Sequence, residues 1–246
     1  MTINSIMLVG DTHGDLSHWT YIIAQGERFC VDAYVQLGDF GFWEPFDDRY
    51  LHKLNRMVGK RKVYWIDGNH ENHRTLRNNY TETDEDGFII IRDNIRYIPR
   101  GHRWTWGNYT FLGIGGAYSV DKHKRIEGRS WWPEELITEE DVEKCIAGGK
   151  ADIVLSHDSP GFIDIGTYMY MAQKPFFRIK GDDQTALNRN RLAQVVWAVE
   201  PQYVFHGHWH LRYMDDRTHI KGRPVRVEGL DCNLTRPESW TIFHTT

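Results

Sequence analysis

What this chain has little of narrows its class before any motif is read. Cysteine is scarce: Cys30, Cys145 and Cys232 are the only three in 246 residues, far apart, odd in number and outside any CxxC pair. Such spacing excludes a disulfide framework and a zinc knuckle, and it suits a reducing compartment. Long apolar runs are also missing, since no segment approaches the roughly 20 apolar residues that a membrane-spanning helix needs. The N-terminus has no basic stretch followed by an apolar one, so the expectation is a cytoplasmic protein with no membrane partner. Positive charge is not in excess, because 30 Lys and Arg face 34 Asp and Glu for a net charge of -4. No extended nucleic-acid surface is expected from that balance. What is present suffices for an ordinary core: 40% of the residues are hydrophobic and 26% charged.

Short apolar runs of strand length recur at Ile6–Val9, Tyr34–Leu37, Val63–Ile66, Phe111–Ile114, Ile153–Leu155 and Tyr203–Phe205. Between several of them lie helix-like stretches at Asp48–Lys60, Thr138–Ile146 and Gln184–Val199. This alternation predicts an α/β protein. The last part differs, because Leu211–Met214, Pro224–Val227 and Thr241–Phe243 read as successive short strands, which predicts mixed sheets. There is no repeat, low-complexity tract or linker, so one domain over residues 1–246 is expected. Residues 115–133 and 160–183, rich in Gly, aromatic and basic residues, read as long loops of the kind that form lids or rims.

The polar residues that matter sit just beyond the strands. Five predicted strands run into Gly10-Asp11-Thr12-His13-Gly14, Gly38-Asp39, Asp67-Gly68-Asn69-His70-Glu71, Ser156-His157-Asp158 and His206-Gly207-His208-Trp209-His210. Carboxyl ends of strands line the ligand crevice of open α/β sheets, so these residues can converge. Carboxylate, amide oxygen and imidazole form a mixed O/N donor set suited to Mn, Fe, Zn or Ni. Within Asp11-Thr12-His13 and His208-Trp209-His210, an extended chain would put positions i and i+2 on one side, ready to chelate as a pair. His206 then falls on the opposite side and reads as structural. Taken singly, Asp11 could be a helix cap, Asn69 a turn residue and His157 a core histidine; their joint arrangement favours ligands.

In order, GDTHG, GDFG, GNHE, SHD and GHWH resemble the signature of the calcineurin-like metallophosphoesterase family, from Gly10 to His210. The GGAYSVDK and WWPEE strings resemble its small, single-domain bacterial and phage-type members. The resemblance implies a first divalent metal ion on Asp11, His13, Asp39 and His210, and a second on Asp39, Asn69, His157 and His208. It further implies Asp39 as the bridging carboxylate, a bridging hydroxide as nucleophile, and His70 as the acid that protonates the leaving oxygen. The expected fold is a layered α-β-β-α sandwich, with two central mixed sheets flanked by helices.

One departure stands out. The family's second block is usually GDxxD, followed in its protein-phosphatase branch by Arg; here Phe42 and Trp43 occupy those positions. The missing Asp leaves Glu44 and Asp67 as conceivable orienters of His70. The missing Arg points away from terminal phosphates and toward phosphodiesters. Lys122, His123 and Arg125, with Trp131 and Trp132 nearby, are candidates for a rim that binds a small, nucleotide-like phosphoester; a solvated basic turn with the tryptophans packed on the core is the plainer reading. The sequence therefore predicts a manganese-type two-metal phosphodiesterase, acting on a cyclic nucleotide or other nucleoside diester. Competing readings are a phosphomonoesterase or protein phosphatase, a metal-dependent nuclease, and a silent binding module of the same fold.

Overall fold

The computed structural model describes residues 2–174 and 184–246. Part of the expected second long loop, residues 175–183, lies outside the described residues.

The first sheet is built on three parallel strands, β1 (Ser5–Val9), β2 (Ala33–Gln36) and β3 (Lys62–Trp65). Beyond β3 come β4 (Ile89–Arg92) and β5 (Ile95–Tyr97), of which β5 pairs parallel to β3 and β4 closes the edge antiparallel to β5. The second sheet contains β6 (Arg103–Trp106), β7 (Tyr109–Ile114), β8 (Ile153–Ser156), β9 (Tyr203–His206) and β10 (Tyr213–Asp215). A small hairpin follows, β11 (His219–Ile220) with β12 (Arg223–Pro224), then β13 (Arg226–Gly229), which inserts between β10 and β9. Finally β14 (Trp240–His244) returns to pair antiparallel with β1. Both large sheets are thus six-stranded and mixed, parallel inside with antiparallel edges.

Alternation along the strands sorts their side chains into three layers of core. In β1, Ile6 and Leu8 face the second sheet, while Met7 and Val9 face helices α1 (Leu16–Arg28) and α2 (Arg49–Met57). In β8, Ile153 and Leu155 join the layer between the sheets, and Val154 packs with α4 (Glu139–Ala147) and α6 (Gln184–Val199) on the other side. These side chains are fully buried, each worth roughly 1.5–3 kcal/mol over exposure. The resulting order, helices, sheet, sheet, helices, is the expected α-β-β-α sandwich.

The strands that the motifs follow stand where the sequence predicts them. Several elements were not legible: α1, α3 (His73–Asn79), α5 (Ile165–Met171) and strands β4 to β6. Helix α5 lies inside one of the expected long loops, capped by Asp164, whose carboxylate accepts from Thr167 N–H at 3.2 Å. The expected strand Pro224–Val227 is divided. Val225 donates to the Thr218 carbonyl and separates the small hairpin from β13. No helix of the described residues is long and apolar enough to cross a membrane.

Candidate metal centre

Parallel strands place their carboxyl ends at one edge, and here the edges of the two sheets meet. Asp11 follows β1, Asp39 follows β2, and Asn69 and His70 follow β3 in the first sheet; His157 follows β8, and His208 and His210 follow β9 in the second. Glycine is required where the two sets approach. A Cβ on Gly207 would lie 2.2 Å from Asp11 Oδ1, and one on Gly38, whose φ is +93°, would lie 2.3 Å from His157 Nδ1.

The paired residues do not sit on extended chain, which corrects the alternation argument. His13, Asp39, His208 and His210 all have left-handed backbone, with φ of 45°, 52°, 65° and 47°. A sharp turn after the strand, rather than the period of a strand, aims these side chains inward. Four non-glycine residues in this region are uncommon, and such conformations persist only where surrounding contacts enforce them.

The side chains converge in overlapping groups. Asp11, His13 and His210 form one; Asp11, Asp39 and His157 another; His13, Asp39 and His70 a third, with ligand atoms within 4.8 Å of one another in each. His210 Nε2 lies 3.1 Å from Asp11 Oδ2 and 3.2 Å from His13 Nε2. His157 Nε2 lies 3.4 Å from Asp39 Oδ1 and 3.1 Å from Asn69 Oδ1. His208 donates its backbone N–H to Asp11 Oδ1 at 2.9 Å, and its ring packs 5.0 Å from that of His157. Asp11, His13, Asp39, Asn69, His157 and His210 thus bring ligand atoms together from both sheets, and His208 adjoins them through its backbone N–H and its ring. His206 is not among them: it is buried, with Nε2 2.6 Å from the Tyr213 hydroxyl.

Other residues fix how the ligands face. His157 Nδ1 is 2.7 Å from the Leu37 carbonyl, so Nδ1 carries the proton and Nε2 faces the cluster. Asn69 donates its amide to Ser119 Oγ at 3.0 Å, which leaves Oδ1 turned inward; Ser119 Oγ in turn donates to Glu135 at 2.6 Å. Asp39 Oδ1 accepts N–H bonds from Asn69 and His70, both at 2.9 Å. Glu71 is buried and accepts from Gly41 and Gly68; burial, reinforced by Asp39, pushes its carboxyl up to about 8. Sequence reasoning did not single out Ser119, Glu135, Leu37 or Glu71. Ser119 and Glu135 do fall in the GGAYS and WWPEE strings, the one available signal.

The electrostatics test whether cations fit. Burial opposes charge on Asp11 and Asp39, yet the imidazoles around them hold both carboxyls below the usual range, Asp39 well below. The histidines answer in kind. Burial disfavours charge on His157, but Asp39 and Asp11 push it up to about 10; burial likewise opposes charge on His210, which its bond to Asp11 pushes up to about 11. His208 is held down to about 4 by burial. Two buried carboxylates thus turn neighbouring imidazoles into their counterions. A donor set that demands positive charge and offers O and N atoms around one point fits divalent metal ions.

His70 borders the cluster, its Nε2 3.8 Å from Asp39 Oδ2 and 2.6 Å from Arg125 Nη2. Burial lowers its pKa, and Arg125 adds to that effect while Asp39 opposes it. Neither conceivable orienter reaches it. Glu44 is engaged with Arg92 and Tyr80, and Asp67 with Arg100 and Tyr97. Asp67 neutralises the buried Arg100, and Glu44 pairs with the half-buried Arg92. Instead Trp43 Nε1 donates to the His70 carbonyl at 3.0 Å, and Phe42 is buried, stacked on Trp65. Beside His70 opens a cavity of about 500 Å³ lined by Trp43, Phe46, Arg125, Arg129, Ser130 and Trp132. Of the three rim candidates, Arg125 lines it. Lys122 lies over the Tyr118 ring at 4.8 Å, and His123 is exposed.

Comparison with known proteins follows the same lines. The family model described as calcineurin-like phosphoesterase matches residues 5–212. Among solved structures, the chain is similar to protein TT1561 of Thermus thermophilus, at 11% identity and a TM-score of 0.56 with all of both chains covered. It is also similar to a dimetal phosphatase from Danio rerio, at 12% identity and a TM-score of 0.55, covering 99% of this chain and 93% of that one. No curated protein matches in sequence. At such identities the structural likeness speaks for the fold.

Proposed function

Because the chain belongs to the calcineurin-like phosphoesterase family and is thereby a metal-dependent phosphoester hydrolase, we propose that it cleaves phosphodiesters of nucleoside type at the cluster between its sheets. Asp11, His13, Asp39 and His210 would hold one divalent ion, and Asp39, Asn69, His157 and His208 the other, with manganese favoured. Two such ions supply a water of lowered pKa and neutralise charge on the phosphate oxygens.

The chain's own residues do the rest. His157 is locked by Leu37 with Nε2 inward, and Asn69 is turned by Ser119 to offer its oxygen. His70 protonates the departing oxygen. Its Nε2 accepts from Arg125 here and so carries no proton; the acid role requires Arg125 to turn onto the substrate and Nε2 to take up a proton from water before it gives one to the leaving oxygen. A reducing, cytoplasmic setting suits the three free cysteines.

The diester preference is carried by the second block, where Phe42 and Trp43 stand in place of an acid and a cation. A dianionic terminal phosphate is best held by a guanidinium fork. Arg125 beside His70 favours the second reading, a phosphomonoesterase. The two are separated by bis-p-nitrophenyl phosphate and p-nitrophenyl phosphate under saturating Mn. The diester should show the higher kcat/KM, and a monoester better by tenfold or more would replace the diesterase reading with the second one.

A further inference from the structure

The cavity beside His70 joins three aromatic walls to two guanidinium groups, that of Arg125 and that of the exposed Arg129. Trp43, Phe46 and Trp132 line it, and Arg125 reaches in from the loop that follows the 3-10 turn Lys122–Lys124. Although that loop is at the surface, the Arg125 side chain is only 9% exposed. Its Nη2 is shared between Asp121 Oδ1 at 2.7 Å and His70 Nε2 at 2.6 Å. Its Nη1 is buried and has no hydrogen-bond partner among the described residues. A buried cationic donor without an acceptor is costly, and an anion in the cavity would relieve it. The position matters as well, because the cation that the second block lacks is matched by Arg125, which arrives at His70 from a different segment of the chain.

We infer that this cavity receives the organic group of the substrate, that this group is a flat aromatic ring, and that Arg125 binds an oxygen of the attached phosphoryl group. The inference deepens the phosphoesterase reading and rests on it for the word substrate. Aromatic walls select ring over chain because a π-face stacks on tryptophan whatever its substituents, whereas an alkyl group of equal volume does not. Arg125 gives the phosphoryl group a planar fork that a lysine cannot reproduce. If the Arg125 fork turns onto that phosphoryl oxygen, Nη2 leaves His70 Nε2.

Phosphonates test this without turnover, since their C–P bond is not an ester. The full chain is titrated calorimetrically with phenyl-, cyclohexyl- and methylphosphonate, loaded with Mn and again in chelator. Phenylphosphonate is expected to bind tenfold or more tightly than methylphosphonate, and clearly better than the cyclohexyl compound. Arg125→Met should weaken all three by about tenfold while keeping their order, and Arg125→Lys should restore little. Phe46→Ala, at a residue 61% exposed whose loss spares the fold, should reduce the phenyl preference alone. Equal binding of phenyl- and methylphosphonate, equal binding of phenyl and cyclohexyl, or an Arg125→Met chain that binds like wild type would each overturn the proposal. The chelated titration separates ring binding from hydrolysis: a phenyl preference without metals stands even if no phosphoester is hydrolysed, and hydrolysis without the preference leaves the phosphoesterase reading untouched.

Discussion

At the scale of single residues, the proposed work of His70 depends on the leaving group. General acid catalysis typically contributes ~10²- to 10⁴-fold, more as the departing oxygen becomes more basic. A nitrophenolate leaves unaided and a ribose alkoxide does not. His70→Ala is therefore expected to lose little kcat on bis-p-nitrophenyl phosphate but about a hundredfold on a nucleoside diester, with metal content unchanged. Equal losses on both would withdraw the acid role. His73 offers a different test. It is buried, burial depresses its pKa to about 3 although Asp67 opposes this, and neither ring nitrogen has a hydrogen-bond partner among the described residues. Between its ordinary value near 6.5 and about 3, the unfolded chain binds a proton that the folded one refuses, so stability falls as pH falls through that window. His73→Phe loses no hydrogen bond and should make the decline of Tm from pH 6.5 to 4 shallower; an unchanged slope would assign the acid sensitivity elsewhere. The seven proposed ligands could be picked out as candidates because each stands behind an apolar run in a known order. The groups that orient them could not. Asn69 is turned by Ser119, and His157 by the Leu37 carbonyl, contacts between distant segments that leave no local pattern.

At the scale of elements, legibility followed whether local chemistry agreed with the tertiary outcome. Thr138 and the acids behind it announced α4, and the structure shows a full capping box, Thr138 accepting from Asp141 N–H and Asp141 from Thr138 N–H. Helix α1 was hidden. Its sequence runs Trp19-Thr20-Tyr21-Ile22-Ile23 through the middle, residues that locally suit a strand. It is helical because Asp15 caps its first turn and because Trp19 and Ile22 are buried against the first sheet. Strands β4 to β6 are short and take their pairing from neighbours rather than from their own alternation. The capping box gives a quantitative check. Thr138→Ala should cost about 1 kcal/mol, which for a chain of this size is a fall in Tm of roughly 2–4 °C. A loss within error would mean that Asp141, which also binds Arg100 at 3.0 Å, holds the helix start unaided.

At the scale of the molecule, the cluster is a joint between two sheets. Asp11, Asp39 and Asn69 come from the first sheet, and His157, His208 and His210 from the second. Ions held there would tie the halves of the sandwich together and bind only the folded chain, so mass action makes them stabilising: about 2.7 kcal/mol at a free metal concentration 100 times Kd. That corresponds to a rise in Tm of roughly 5–10 °C. In chelator, His157 and His210 substitute as counterions, with pKa values pushed up to about 10 and about 11. Their contribution is complete below about 6.5 and is lost as pH rises toward and through those values. Metal-free protein should therefore lose Tm between pH 6.5 and 9 while Mn-loaded protein loses less, so the gap between them widens. Asp39→Ala, which touches both proposed ions, should remove nearly all of the metal-induced rise and two equivalents of bound Mn. His13→Ala should leave one site and a measurable rise. Thermal unfolding with and without chelator, read beside metal content, decides the matter: a Tm indifferent to metal, or His13→Ala and Asp39→Ala alike in both readouts, would mean that the cluster does not hold two ions through a shared carboxylate.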